Sequence, residues 1–441
     1  VIRVAVIGGG LAGISAALDC AAAGARVTLV EVRRRLGGAA YSFERDGLRM
    51  DNGQHVFLRC CEAYRALLER LGSSELVAVQ ERLDIPVLSP GRAPARIRRN
   101  SLHAPLHLAG ALLRYPRLRP AERIAAARAA LALGRLDPQD PALERSTFGE
   151  WLAEHGQDET AVAALWDLIA LPTMNVPAAD ASLALAAFVF RTGLLSGAAA
   201  GDIGFHVATL QEILGDPARR ALEQAGVELR LGWRAERLVR GEDGYELSGR
   251  AAGESESIHA DAAIVALPHD RAGGLLEPLL GANAGRPAPL QSSPIVNLHI
   301  VYDRRVLDEP FAAGVGTPVQ YLFDRGDAAG VPPGCQYLAV SLSGASAEME
   351  RSVEELRERY LAAMQELLPR ARGANVERFQ VTREHAATFR AVPGVAALRP
   401  AQRTSLPGLA LAGAWTETGW PATLESAVLS GHAAARVAVA A

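Results

Sequence analysis

Val4-Ala5-Val6-Ile7-Gly8-Gly9-Gly10-Leu11-Ala12-Gly13 begins as an apolar run of strand length and turns through glycines into an alanine-rich segment of helical composition. A second apolar run, Val27-Thr28-Leu29-Val30, ends at Glu31. Strand, glycine turn, helix, strand and terminal acid, in that order, predict a βαβ unit that binds a dinucleotide. Gly8 permits the tight turn, Gly10 lets the backbone approach a pyrophosphate, and Gly13 lets helix and strand pack closely. The helix N-terminus at Leu11 and Ala12 offers unpaired N–H groups to the phosphates. Glu31, eighteen residues beyond Gly13, is placed to accept hydrogen bonds from a ribose diol.

Arg33 and then Leu36-Gly37-Gly38 follow. This second glycine turn would bring further amides to the same pyrophosphate, which enzymes using only nicotinamide do not usually need. The E-x-R-x-x-x-G-G continuation resembles the flavoprotein superfamily of amine oxidases and phytoene desaturases, and the resemblance implies FAD. Further along, 211–225 has a helical pattern and 227–231, 235–239, 245–247 and 260–268 read as strands. Residues 408–413 form one more strand, before a helix from about 421. These segments predict an α/β fold: a discontinuous Rossmann-like FAD-binding domain of residues 1–75, 205–270 and 396–441, its strands in a mixed sheet. Residues 76–204 and 271–395 form an inserted α+β substrate domain, with 89–99 its most flexible stretch.

The chain has 441 residues and a net charge of -3, which argues against a nucleic-acid binder. Cys20, Cys60, Cys61 and Cys335 lack metal spacing, so no metal is expected, and they fit a reducing cytoplasm. No signal segment is expected ahead of the first strand, and no apolar span reaches the length of a membrane helix. Every basic residue is arginine, which excludes a lysine Schiff base and the lysine-held water that many amine oxidases of the superfamily place beside the flavin. Between Arg92 and Arg135 there are ten arginines and one acid, Glu122, interleaved with leucines. That pattern describes either a solvated helix pair or a basic amphipathic surface lying on anionic lipid, with Arg114, Arg117 and Arg119 as its contacts.

Asp51-Asn52-Gly53-Gln54-His55 is short, polar and rich in turn formers. With Leu36-Gly37-Gly38-Ala39-Ala40-Tyr41-Ser42-Phe43, Met174-Asn175-Val176-Pro177 with Ala181-Ser182, and the run 413–427, it resembles the squalene-associated FAD-dependent desaturases, the hydroxysqualene dehydroxylases of hopanoid biosynthesis. The resemblance spans the chain. It implies that Gly8, Gly10, Gly13, Glu31, Arg33, Gly37 and Gly38 hold the ADP half of FAD, and that Ala235 meets the adenine through its backbone. Gly413 and Thr423-Leu424-Glu425 would lie at the flavin end. Ala39 stands where an arginine often follows the glycine pair, and Ala414 where many relatives carry an acid, so both leave backbone contacts only.

The same resemblance implies a polyisoprenoid alcohol as substrate and a reduced flavin as hydride source, the product being squalene. The alternatives are a carotenoid or phytoene-type desaturase and a non-catalytic flavin-bound partner of a terpenoid enzyme. The flavin is expected to be non-covalent, since no cysteine lies near the C-terminal loop. With one dinucleotide fingerprint in the chain, the electron donor is NADPH, a separate reductase or a quinone. Glu417 is the first choice of proton donor, because a carboxyl buried between Trp415 and Trp420 would favour its neutral form. His55 is the second choice and Asp51 the third; His206 is a further cleft residue. Residues 184–190, Leu194, Leu195, Phe205 and 296–301 are the apolar segments from which a lipid tunnel would be built. The protein is expected in the cytoplasm, peripheral at the inner face of the cell membrane.

Overall fold

The computed structural model describes residues 1–281 and 290–440. The expected intervals 271–395 and 396–441 therefore include residues 282–289 and 441, which lie outside the described residues.

Apolar runs mark inner strands buried on both faces, and here, with the alternating Glu228–Leu231 at one edge, they assemble a five-stranded parallel sheet. Its order is Glu228–Leu231, Arg26–Glu31, Arg3–Ile7, Ala262–Val265, Leu409–Leu411. The first helix, Leu11–Ala22, and the last, Leu424–Val439, lie against each other on this sheet. Gly431 makes that contact, where a Cβ would stand 2.3 Å from the Ala12 carbonyl oxygen.

The expected mixed sheet is two sheets. Trp233–Gly241, Gly244–Ala251 and Glu254–Ala260 form a separate antiparallel sheet. The reason is visible in its pattern: Leu247 and Ile258 are buried between polar neighbours, the period of a sheet covered on one side.

A seven-stranded sheet is the frame of the remaining chain. It runs Val376–Phe389, Ser292–Tyr302, Gln336–Ser343, Tyr321–Asp324, Phe311–Gly314, Asp84–Leu88, Ala95–Arg98. One face packs on helix Val353–Leu367 through Val296, Leu298, Ile300, Leu356, Tyr360 and Met364. Ile85, Val87, Phe311 and Phe323 of the opposite face pack on the helical layer with Phe148, Trp166 and Phe190. Within the segment 89–99 expected to be flexible, Ala95–Arg98 form a strand. Arg96 donates to Asp84 at 2.8 Å and to Glu309 at 2.6 Å, and Arg99 donates to the buried Asp202 at 2.6 Å. These carboxylates, two of them distant in sequence, draw arginines from a stretch that composition alone assigns to a loop.

Asn175 has a role that its Asn-x-Pro setting did not disclose. It ends helix Asp167–Met174 in the left-handed conformation, φ 56°. Its amide donates to the Ser293 carbonyl and Thr388 hydroxyl and accepts from Gly344 N–H, joining the helical layer to the sheet.

Candidate active site

Gly10 precedes the first helix without a side-chain cap, so the N–H groups of the first turn remain available to an anion. Gly38 lies against it: a Cβ on Gly38, at φ 60°, would stand 2.6 Å from Gly10 Cα. Gly37 N–H donates to the Gly9 carbonyl at 2.9 Å, which seals the two glycine turns into one backbone cradle. Gly13 is needed for a different reason, since a Cβ there would lie 1.9 Å from the Gly8 carbonyl oxygen. Glu31 accepts from Gly9 N–H and from Arg33 N–H, both at 2.7 Å, leaving its remaining lone pairs for a diol. Arg33 itself is exposed. The arginine that turns back to the cradle is Arg35, which sequence reasoning passed over. Its guanidinium stacks 3.7 Å from the Tyr41 ring centre and donates to the Gly38 carbonyl at 3.2 Å. Its position beside Leu36-Gly37-Gly38 was the available signal.

At Ala235 the register of its strand shifts, with Glu236 unpaired between the Gly249 and Ser248 partners. Such a bulge frees backbone groups at the edge of the sheet.

The C-terminal loop follows Leu409–Leu411. Gly413, at φ 142°, has Trp415 Nε1 2.4 Å from the position of a Cβ, and its N–H donates to Ser430 at 2.8 Å. Thr423 caps the last helix by accepting from Ser426 N–H, with Leu424 at the first helical position. From the Gly431–Ala12 contact the last helix extends roughly 10 Å to Leu424, at 1.5 Å per residue. That offset separates the N-termini of the two helices. Arg399, buried, braces the loop by donating to the carbonyls of Ala414 and Thr416 and to the Thr418 hydroxyl. Burial pushes its pKa down to about 10. Glu425 is turned away from this end. Its carboxylate accepts from Ala63 and Tyr64 N–H at 3.0 and 2.7 Å and so anchors helix Glu62–Leu71, while burial raises its pKa.

The proton-donor expectations need correction. Glu417 is exposed, and the burial on which its role was argued is absent. Trp415 is buried and donates to the Leu267 carbonyl, whereas Trp420 packs on Phe188, ring centres 5.0 Å apart, so the two rings do not enclose the carboxylate. Asp51 is engaged structurally. It accepts from Arg325 at 2.9 Å, Ser42 at 2.6 Å and Leu210 N–H at 3.0 Å. His206 bonds the Tyr64 hydroxyl at 2.7 Å, and burial, with the nearby His55 and Arg325, pushes its pKa down to about 3. His55 differs from these: its Nε2 is buried with no partner among the described residues. Burial lowers its pKa, so the ring is neutral near pH 7.

Asn52 ties this loop to the cradle. Its side chain donates to the Ala39 carbonyl and Glu384 and accepts from Tyr41 N–H. The loop therefore continues from the second glycine turn to the face of the seven-stranded sheet. Among the tunnel segments, Val296, Leu298 and Ile300 belong to the core on the far face, and Phe190 packs into Phe148 and Trp166. Phe188, Leu195 and Phe205 are only partly buried.

The family model for flavin containing amine oxidoreductases matches residues 11–439. The chain belongs to this family. A dinucleotide cradle in a flavin family identifies the cofactor as FAD and the protein as an FAD-dependent oxidoreductase. The chain is 28% identical to the hydroxysqualene dehydroxylase of Rhodopseudomonas palustris, with 99% of this chain and 98% of the relative covered. It is 26% identical to the zeta-carotene desaturase of Synechocystis, covering 99% and 97%. Cyclohexylamine oxidase from Brevibacterium oxydans shares the fold at a TM-score of 0.73 and 18% identity, over 100% of this chain and 99% of that one.

Proposed function

We propose that the protein reductively removes the hydroxyl of hydroxysqualene to give squalene for hopanoid biosynthesis. The observation that carries this is end-to-end similarity to hydroxysqualene dehydroxylases, 28% and 27% identical over 99% of the chain. The balance is simple: the C–O bond breaks, its oxygen leaves with a proton as water, and a hydride with its electron pair forms the new C–H bond. Bound FAD, reduced by an external donor such as NADPH, supplies that hydride. The chain's residues do the rest. The Gly10–Gly38 cradle, Glu31, Ala235 and the Gly413–Ala414 turn hold the cofactor without a covalent bond. The loop 51–55 presents His55 to the departing oxygen, and the partly buried Phe188, Leu195 and Phe205 offer apolar contacts to the polyisoprenoid. Excluding water there strengthens each polar contact on the leaving group.

The chain meets its lipid at a membrane surface in this reading, at the inner face of the cell membrane. Leu102, Leu106, Leu113, Ile124 and Leu131 are exposed large apolar residues within the arginine-rich stretch. No helix among the described residues is long and apolar enough to cross a membrane.

A carotenoid desaturase is the second reading, favoured by the Synechocystis relative. It needs the opposite direction of hydride flow. Anaerobic incubation of the FAD-loaded, chemically reduced protein with hydroxysqualene, followed by mass spectrometry of the lipids, tests the proposal. Squalene formation is expected; its absence, with desaturation of a carotene by the oxidised protein, overturns it.

A further inference from the structure

The parallel sheet sets the direction in which the cofactor runs. Arg26–Glu31, Arg3–Ile7, Ala262–Val265 and Leu409–Leu411 are successive parallel neighbours, so their carboxyl ends form one edge, and ligands of such sheets lie along it. Glu31, read as the ribose acceptor, ends the first of these strands, and the glycine cradle follows the second. The flavin half of an extended FAD therefore continues past Val265 to the turn after Leu411, two strands and about 10 Å beyond the cradle. Trp415 fastens that turn to the neighbouring strand end by donating to the Leu267 carbonyl at 2.9 Å.

Arg399 lies behind this turn with its charge unmatched. It is 6% exposed, and its Nη2 donates to the carbonyls of Ala414 and Thr416 at 3.2 and 2.5 Å and to the Thr418 hydroxyl at 3.1 Å. Carbonyls and hydroxyls satisfy N–H groups but carry no net negative charge. The guanidinium stacks 4.8 Å from the Phe389 ring centre, and its Nε has no partner among the described residues. Glu417 and Glu144 attract it only through space, without a hydrogen bond to either, and Glu417 is in solvent. Ala414 offers a methyl and no carboxylate. The first turn of helix Leu424–Val439 is tied to the same Thr418 hydroxyl through Ser426 at 2.7 Å and adds the positive end of its dipole. A buried cation left without an anion is costly, so the missing negative charge belongs to what the turn holds.

We propose that Arg399 is the counter-charge of the reduced flavin. Near neutral pH a flavin that takes up two electrons and one proton becomes an anion, with the charge on the pyrimidine end of its ring. A buried positive charge acts on that anion at a distance through a poorly screening interior, so no direct contact is needed. The consequence is that electrons delivered by an external donor stay on the flavin until the lipid arrives. The inference concerns the cofactor alone and is tested with no lipid present, so it stands or falls separately from the reaction assigned above.

The midpoint potential of the FAD-loaded protein, measured by dye-coupled reduction, reads this charge. Arg399→Gln removes the charge and keeps hydrogen-bond donors, whereas Arg399→Lys keeps the charge and loses the planar fork. Arg399→Gln is expected to favour reduced over oxidised flavin at least about 10-fold less than wild type, a fall of about 30 mV for this two-electron couple. Arg399→Lys should stay near the wild type. An unchanged potential in Arg399→Gln, or an equal fall in Arg399→Lys, would leave Arg399 a brace of the loop and overturn the proposal. Sulfite gives a second reading on the wild type alone, since its addition to the oxidised ring leaves the same negative charge there. If the variants lose FAD, that titration decides: bleaching of the visible flavin absorbance supports the counter-charge, and its absence overturns it.

Discussion

Gly10 and Gly13 look alike in the motif and differ in what they prevent. A Cβ on Gly10 has Gly38 Cα at 3.6 Å as its nearest neighbour, an ordinary contact, whereas one on Gly13 collides with the Gly8 carbonyl oxygen at 1.9 Å. Gly10→Val should therefore give folded protein, with native far-UV circular dichroism, that purifies colourless. Gly13→Ala should destabilise the fold itself, by about 1–3 kcal/mol or more, read from the urea midpoint. Stoichiometric flavin on Gly10→Val would show that the pyrophosphate lies elsewhere. Asp51 and Glu417 divide in the same way. Asp51→Asn leaves Arg325 with a buried, uncompensated charge and should cost about 3–5 kcal/mol of stability. Glu417→Gln alters an exposed turn residue and should keep the proposed dehydroxylation within about threefold of wild type, since a lost general acid costs about 100-fold or more. The cofactor glycines were legible in the sequence because turn chemistry is local. The fate of the two acids was not, because burial depends on distant neighbours.

At the scale of elements, Asp202 holds together pieces that the sequence leaves unrelated. It accepts from Arg99 at 2.6 and 2.8 Å, Arg59 at 3.1 Å and Leu83 N–H at 2.7 Å, linking the hairpin of Asp84–Leu88 and Ala95–Arg98 to the strand Ile203–His206. Burial alone would raise the pKa of this carboxyl, but the hydrogen bonds and the Arg99 charge win and hold it below the usual value. A folded pKa below the unfolded one, about 3.9, means that the stabilisation is complete above that pH and is lost as the pH falls through the folded value. Asp202→Asn should cost about 3–5 kcal/mol at pH 7 and flatten the fall of the urea midpoint below about pH 4. An unchanged acid limb in the variant would show that other carboxylates govern it. The flexible reading of 89–99 missed the strand Ala95–Arg98 because an arginine-rich stretch reveals its charge and not its partners.

For the whole molecule, the arginine-rich stretch exposes only some of the arginines expected to contact lipid. Arg117 is buried and donates to the Ala93 carbonyl, and Arg119 pairs with Glu122 and Asp158. Arg114 and Arg128 are exposed, and on helix Pro120–Leu133 Arg128 shares a stripe with the exposed Ile124 and Leu131, while Ala126, Ala129 and Leu133 face the core. Arg114→Gln with Arg128→Gln should weaken sedimentation with anionic vesicles by about 2 kcal/mol, roughly 30-fold, at about 1 kcal/mol per arginine. Arg117→Gln should leave partitioning unchanged and lower stability. Equal partitioning of the double variant and the wild type would remove lipid contact through this face.

The βαβ unit, both glycine turns and the strands of the parallel sheet stand in the sequence because hydrophobic period, turn chemistry and capping act over a few residues. The membership of Glu228–Leu231, which alternates charged and apolar residues, and of Leu409–Leu411 in one parallel sheet with Arg3–Ile7 was decided by the tertiary structure. Three further facts came only with the tertiary structure: Asp51 paired with Arg325, 274 residues away; Asn297 brought 245 residues back to Asn52; and Glu417 left in solvent. Each is a matter of which surfaces meet. A one-residue shift in register would turn Asn297 into the core and Val296 toward the loop, and that choice is made by the packing of a whole sheet face and not by the residues of one strand.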